Sequence, residues 1–380
     1  MKIKSESKYP LYVVFLFLTL LFACKKDQSN VPSTKLKDRV YIGSSDGSFY
    51  ALNSTNGKLV WKYTAKDFSY SAPIVVDETV YAGSTDGNMY AFDAVSGRVK
   101  WTFFTDSVGI ESSPAVSDGI IYFGSNDNFF YALNASTGKL IWKMGTSQNV
   151  SSSPVISNNK VYFGSSDGIM YALSAKNGNL IWSYQTGSMI GASSPALSNG
   201  TVFIGNRDGH LYALNSENGH LKWKYSANGI SLEQSSPVVA NGMVYVGGWY
   251  NVNDFNVAGS LLAIDEVTGQ LKWESLRGLG IGGTPSVSGE LLYVSADGGY
   301  FYALNSSTGA KLWSKYIFPN GSGAAIADGS VVVGAGGYRE IHAYDAKTGA
   351  IKWKNSDMSG NGLSISTPCI IDSRGVIIRR

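Results

Sequence analysis

The chain is poor in the residues on which most enzymatic sites are built. Only two of its 380 residues are cysteine, Cys24 and Cys369, and only three are histidine, His210, His220 and His342. Two cysteines so far apart exclude a vicinal Cys-Cys pair, a Cys-x-x-Cys-His haem attachment and a framework of several disulfides. Neither a phosphate-binding Gly-x-x-x-x-Gly-Lys-Ser/Thr nor a His-Glu-x-x-His occurs. Charge is scarce and balanced: Asp, Glu, Lys and Arg make up 16% of the chain, and 31 basic against 28 acidic residues leave a formal charge of +3. Such a surface gives no electrostatic case for nucleic acid or for a strongly acidic partner. The longest apolar run, residues 11–23, has 13 positions, short of what a membrane helix needs.

That run still has a reading. It follows three lysines within the first eight residues and ends at Leu21-Phe22-Ala23-Cys24, the layout of a secretion signal. Those last four residues resemble the bacterial lipobox. The resemblance implies that cleavage leaves Cys24 as a first residue carrying three fatty acids, enough for stable membrane attachment where one chain holds only marginally. The expected organisation is a lipoprotein signal peptide at 1–23, a flexible polar tether at 24–37 and one folded domain at 38–380. Loss of residues 1–23 removes three lysines and one glutamate and lowers the formal charge to +1. Lipidation of Cys24 would leave Cys369 without a disulfide partner.

What the chain has in quantity is glycine (44), tyrosine (23) and tryptophan (9), a composition of turns and aromatic packing. Eight of the nine tryptophans keep one register: Trp61, Trp101, Trp142, Trp182, Trp223, Trp273, Trp313 and Trp353 follow at steps of 40, 41, 40, 41, 50, 40 and 40. Around each lies one sentence, VYIGSSDGSFYALNSTNGKLVWKY from Val40 or VYFGSSDGIMYALSAKNGNLIWSY from Val161, with Ser-Ser-Pro or a variant ahead of the next copy. Each unit parses into four short strands, A after Ser-Ser-Pro, B at VYFGS, C at FYALN and D at KLVWKY, joined by Asp-Gly and Thr/Asn-Gly turns. The residue two before each tryptophan is apolar in seven of eight copies, which predicts a buried face for strand D. Repeats of about 40 residues with four strands make β-propeller blades. The first copy begins at strand B and a spare strand A, STPCIID from Ser366, ends the series, so an eight-bladed ring closed by that C-terminal strand is expected. RGVIIRR from Arg374 is surplus and competes with residues 39–43 for the B position of the first blade.

The sentence VY.GS.DG..YAL...TGK..W resembles the pyrroloquinoline quinone repeat over about residues 38–372. Quinoprotein dehydrogenases with this repeat, as the resemblance implies, set a vicinal cysteine pair against the quinone, hold calcium with Glu and Asn and use a catalytic Asp. This chain has no such cysteines, and its loop carboxylates (Asp67, Asp106, Glu111, Glu233, Glu274, Asp357) come about one to a loop. The repeated Asp-Gly aspartates, Asp46 and Asp86 among them, offer one carboxylate per turn where calcium wants six to eight oxygens. The three histidines occupy three different repeat positions. No catalytic residue, no metal and no cofactor is therefore expected, with pyrroloquinoline quinone and calcium as the alternative. Signal, tether, eight blades and missing catalytic set together resemble the family of the outer-membrane assembly lipoprotein BamB, scaffolds that dock on the barrel-forming subunit of that machinery. The resemblance implies a non-enzymatic monomer of the cell envelope, held to the membrane at Cys24 and bound to a protein partner, without nucleic acid.

Alternating strand direction puts the D-to-A and B-to-C loops on one face of the ring. That face carries the length variation, including the ten-residue surplus GGWYNVNDFNVAGS from Gly247 in a B-to-C turn. Variable loops on a rigid ring are where binding usually lives. The binding candidates are Trp249, Tyr250, Asn251, Asn253, Asp254 and Phe255 in the insert, with Phe68 and Tyr70 in the loop AKDFSYSAP. Aromatics among Asn and Asp suit a peptide edge or a sugar face.

Overall fold

The computed structural model describes residues 36–380 apart from 69, 107–108, 254–255, 318–320, 336–339, 358–365, 375–376 and 379–380; for 251–253, 256–257, 321 and 377–378 it describes the backbone alone. Cys24, Asp254 and Phe255 therefore lie outside the described residues.

Eight antiparallel sheets follow one another along the chain, each in the order A-B-C-D. Blade 3 shows the pattern, with A at Ala115–Ser117, B at Ile120–Gly124, C at Phe129–Asn134 and D at Leu140–Gly145. The A strands of successive blades touch around the middle of the ring, and the D strands form its outer edge. The turn chemistry is local. Asp46, Asp86, Asp127 and Asp167 each accept the backbone N–H two residues on and the phenol of the strand C tyrosine four residues on, which fixes the B-to-C hairpin.

The repeated tryptophans join blades. Each indole Nε1 donates to a carbonyl in the C-to-D turn of the next blade: Trp61 to Ala94 at 3.0 Å, Trp101 to Ala135 at 2.9 Å, and so on to Trp313 and Ala346 at 3.2 Å. The strand B tyrosine shares that acceptor, with Tyr41 on Ala94 and Tyr81 on Ala135. The glycine of the same turn lies flat on the indole; a Cβ on Gly97 would come within 2.6 Å of Trp61. Serines tie the A strands nearer the centre. Ser112 Oγ donates to the carbonyl of Ser152 in the next blade (3.0 Å) and accepts the N–H of Gly124 in its own strand B (3.1 Å). Ser71, Ser193 and Ser235 repeat this pattern. The Ser-Ser-Pro signature is thus an interblade clasp that pairs polar groups in the ring's interior.

The C-terminus closes the ring as expected and adds a strand. Cys369–Ile371 pairs with Arg39–Gly43 as strand A of blade 1, and Ser366 Oγ accepts the N–H of Gly43 at 2.8 Å. The B position of blade 1 belongs to Arg39–Gly43. Ile377–Ile378 pairs instead with the inner side of Cys369–Ile371, so blade 1 has five strands. Leu36, expected in the tether, is buried in the same cluster as Tyr41 and Cys369.

The predicted buried face of strand D is corrected. Leu59, Leu140, Leu180 and their equivalents are exposed. In every blade with this register, a β-bulge precedes the tryptophan: Ala51 pairs with Trp61 but Leu52 pairs with Leu59, leaving Val60 as the extra residue. The bulge breaks the two-residue alternation, so the position two before the tryptophan no longer shares its face. Strand D is also the outer edge, with no neighbouring strand to cover it.

Candidate functional site

The insert of blade 6 lengthens strands B and C instead of forming a loose loop. Met243–Asn253 and Asn256–Asp265 pair as one hairpin that rises beyond the other blades' B-to-C turns. Flanking D-to-A loops hold its base on both sides. Ser231 and Trp249 exchange backbone hydrogen bonds of 2.8 and 3.1 Å on one side; on the other, Ile281 N–H donates to Gly248 and Gly278 N–H to Gly259. The packing needs glycine at the base: a Cβ on Gly248 would meet Ile230 at 2.3 Å, and one on Gly259 would meet the Gly248 carbonyl at 2.0 Å. The base of the surplus is therefore held between its two neighbouring loops on the loop face.

Of the residues expected to bind, Trp249 is half-buried and its indole N–H is enclosed without a hydrogen-bond partner, while Tyr250 is exposed. Tyr250 lines a cleft of about 420 Å³ together with Tyr225, Asn228, Ile230, Leu262 and Glu274. Burial, with Glu274 beside it, raises the Tyr225 phenol, and Glu274 in turn is paired with Arg277 at 2.6 Å. The cleft thus presents two tyrosines, Asn228 and the Glu274 carboxylate, a mixture of apolar faces and hydrogen-bonding groups. Asn251 and Asn253 lie on the hairpin's rising strand, with only their backbone described.

Phe68 does not belong on this face. It is fully buried, packed on Phe49 at 5.6 Å and Tyr90 at 5.4 Å between ring centres. A Cβ on Gly43 would meet its carbonyl at 2.2 Å. Ile110, Val150, Ile190, Leu232 and Ile281 pack over the corresponding glycines of strand B in blades 2 to 6. The D-to-A loop folds back and seats one apolar residue in the core, a role that an apolar residue just ahead of Ser-Ser-Pro could have signalled. Tyr70, two residues later, is exposed, with its phenol raised by partial burial and by Asp67 and Glu111.

Glu233, one of the loop carboxylates, sits on the buried side of the loop after Leu232. Its Oε1 lies 3.9 Å from Arg207 Nε and its Oε2 makes no hydrogen bond. Burial raises its pKa above the usual glutamate range, against the pull of Arg207. Among the other loop carboxylates, Asp67 and Glu111 lie near enough to Tyr70 to act on its phenol together. The histidines stay apart: His210 pairs with Asp208, and buried His342 lies between Tyr344 and Glu340 in blade 8. Among the described residues no three His, Cys, Asp or Glu side chains converge as a metal site. Cys369 lies buried in strand A of blade 1. Among the described residues this donor set offers calcium no cluster of carboxylates. Residues 43–47 and 164–168 match Gly-x-Ser-x-Gly by letter, but they form β-hairpin turns and not the strand-to-helix elbow that exposes a nucleophile.

Comparison with known proteins agrees with this architecture. The family model described as outer membrane protein assembly factor BamB matches residues 26–111, 105–259 and 257–371. Among solved structures, BamB from Moraxella catarrhalis is similar at a TM-score of 0.67 and 20% identity, over 82% of this chain and 96% of that one. The computationally designed Ika8 protein is similar at 0.63 and 18% identity, over 83% and 92%. A europium-containing methanol dehydrogenase is similar at 0.66 and 14% identity, over 81% of each chain. At these identities the likenesses concern the fold alone, and they span an assembly factor, a design and an enzyme. A search of curated sequences finds no match.

Proposed function

Because the chain belongs to the family of the outer membrane protein assembly factor BamB, we propose that it is a non-catalytic binding scaffold of the cell envelope that supports outer-membrane protein assembly through protein contacts. The observation that carries this reading is the blade 6 hairpin, clamped at its base by Ser231 and Ile281 and raised on the loop face, where the ring's loops vary. A scaffold needs a stiff platform and one distinctive projection, and no converging set of reactive groups. Lipidation at Cys24 holds the ring at the membrane, and residues 25–35 are the lead to it. Detergent-solubilised membranes are the test: capture through the full-length chain is expected to recover a barrel-assembly subunit. Recovery of none, with the bait intact, sinks the reading. Replacing Cys24 by Ser is expected to move the protein from the membrane to the soluble fraction.

A second reading draws on the cleft under Tyr250. Two tyrosines beside the Glu274–Arg277 pair offer a sugar ring an apolar platform and hydrogen-bonding neighbours. Under it, soluble oligosaccharides would protect the protein against thermal unfolding, and Tyr250→Ala would abolish the protection.

A further inference from the structure

The ring's outer edge consists of eight D strands, each presenting a row of backbone N–H and C=O groups to solvent. Such edges invite strand addition and are usually guarded by charge, lysine above all. Seven of the eight are guarded here. Lys62, Lys100, Lys143, Lys222 with Lys224, Lys272, Lys311 with Lys315, and Lys352 with Lys354 lie within their strands. Blade 4 is the exception: Leu180–Gln185 reads Leu-Ile-Trp-Ser-Tyr-Gln, without a charge. All these edges share the bulge ahead of the tryptophan, so the bulge does not distinguish blade 4. Charge does.

This edge also exposes two aliphatic side chains. Leu180 is 57% and Ile181 41% exposed, the former matched in that group by no other aliphatic residue of a D strand. Leu140 and Ile141 of blade 3, both exposed, extend the surface. They are next door, because the blade 4 turn that leads into Leu180 packs its Gly178 on Trp142. Two adjacent blades thus expose four aliphatic side chains beside one uncharged strand edge.

We propose that the blade 4 edge, Leu180–Gln185, is a docking strand for an extended, uncharged segment of a partner protein, which pairs with it backbone to backbone and covers Leu180 and Ile181. The charge pattern selects this occupant. Strand addition desolvates the edge, and a lysine at that edge would lose water without gaining a counterion; only blade 4 avoids the cost. The partner strand needs no acidic residue, and an apolar side chain opposite Ile181 would be favoured. The proposal goes beyond the scaffold reading, since it concerns an edge remote from the blade 6 hairpin in sequence and testable without any envelope component.

The test uses a short soluble peptide of alternating threonine and valine, and the same peptide N-methylated at alternate amides. In the lipid-free full domain, the plain peptide is expected to slow amide exchange at Trp182–Gln185 and to bind, and the N-methylated peptide to do neither. The double variant Ile181→Lys with Ser183→Lys gives blade 4 the Leu-Lys-Trp-Lys-Tyr order of blade 5, which the fold already accepts. It is expected to weaken binding by about tenfold or more. The reverse pair, Lys222→Ile with Lys224→Ser, is expected to create a second site and double the stoichiometry. Equal binding by the wild type and the lysine variant overturns the proposal, as does unchanged exchange along Trp182–Gln185. A concentration-dependent dimer lost in the lysine variant would overturn it too, by giving the edge to a second copy. Failure here leaves the scaffold reading untouched, and failure to capture an assembly subunit leaves the edge untouched.

Discussion

Trp353 donates its indole N–H to the carbonyl of Ser54, 2.7 Å away and 299 positions earlier in the chain. The same bond joins every consecutive pair of blades, but here it spans the seam where blade 8 meets blade 1. Gly57 completes the contact by lying on the Trp353 ring with φ at +71°. Trp353→Phe removes the bond and is expected to lower stability by about 1 kcal/mol. Gly57→Ala places a methyl 2.5 Å from the indole in a left-handed conformation and is expected to cost more than the roughly 1–2 kcal/mol of that conformation alone. Urea unfolding midpoints check both. Equal midpoints for wild type and Gly57→Ala would mean that the seam is not closed in this way.

Phe68 and Tyr250, both loop aromatics, are expected to behave oppositely. Phe68→Ala empties a core site between Phe49 and Tyr90 and should destabilise the ring by about 3–5 kcal/mol. Tyr250→Ala removes an exposed ring on the projecting hairpin and should shift stability by less than about 0.5 kcal/mol. Thermal unfolding separates them. A large loss at Tyr250 would make that residue a packing group and would remove it from any binding surface.

The ring itself was readable because eight tryptophans and seven Ser-Ser-Pro variants repeat one spacing, and strand parity placed the blade 6 surplus on the loop face. The exposed position of Leu59 and its equivalents was not. A bulge adds one residue without changing the repeat length, so the alternation breaks where the sequence shows an ordinary strand. Phe68 was misplaced for a related reason. The loop residue that folds inward stands seven to nine positions after the tryptophan in blades 1 to 6, so spacing from the tryptophan does not mark it, whereas its place two or three residues ahead of the Ser-Ser-Pro position does. The uncharged edge of blade 4 was present in the letters but became visible only once strand D proved to be the outer edge.

His342 stands where six of the other seven blades place the strand C tyrosine. Burial lowers its pKa below the ordinary imidazole value, and Glu340, which accepts from Nε2 at 2.5 Å, does not overcome this; Lys354 beside Glu340 adds to the lowering. The folded chain therefore resists a proton that the unfolded chain takes up near pH 6.5. Stability is expected to fall as pH drops through and below that value. His342→Tyr restores the residue of those blades and should flatten this part of the profile, seen as a smaller change in melting temperature between neutral and mildly acidic buffer. Identical slopes for the two proteins would place the titration elsewhere.

Glu233 has the opposite sign. Its carboxylate is raised by burial, and Oε2 has no hydrogen-bond partner. At neutral pH the folded state therefore carries a charge that the unfolded state carries more easily. Arg207, 3.9 Å away with its own side chain mostly in water, offsets little of that. As pH falls through the raised pKa, the folded chain takes up the proton first and gains stability relative to neutral pH. Glu233→Gln supplies the neutral side chain at every pH. It is expected to be more stable than the wild type at neutral pH by about 1 kcal/mol, with the gap closing on acidification. A variant less stable than the wild type at neutral pH would mean that the carboxylate is held by a partner group stronger than Arg207. A gap that stayed constant down to strongly acidic pH would mean that Glu233 does not titrate within the folded ring.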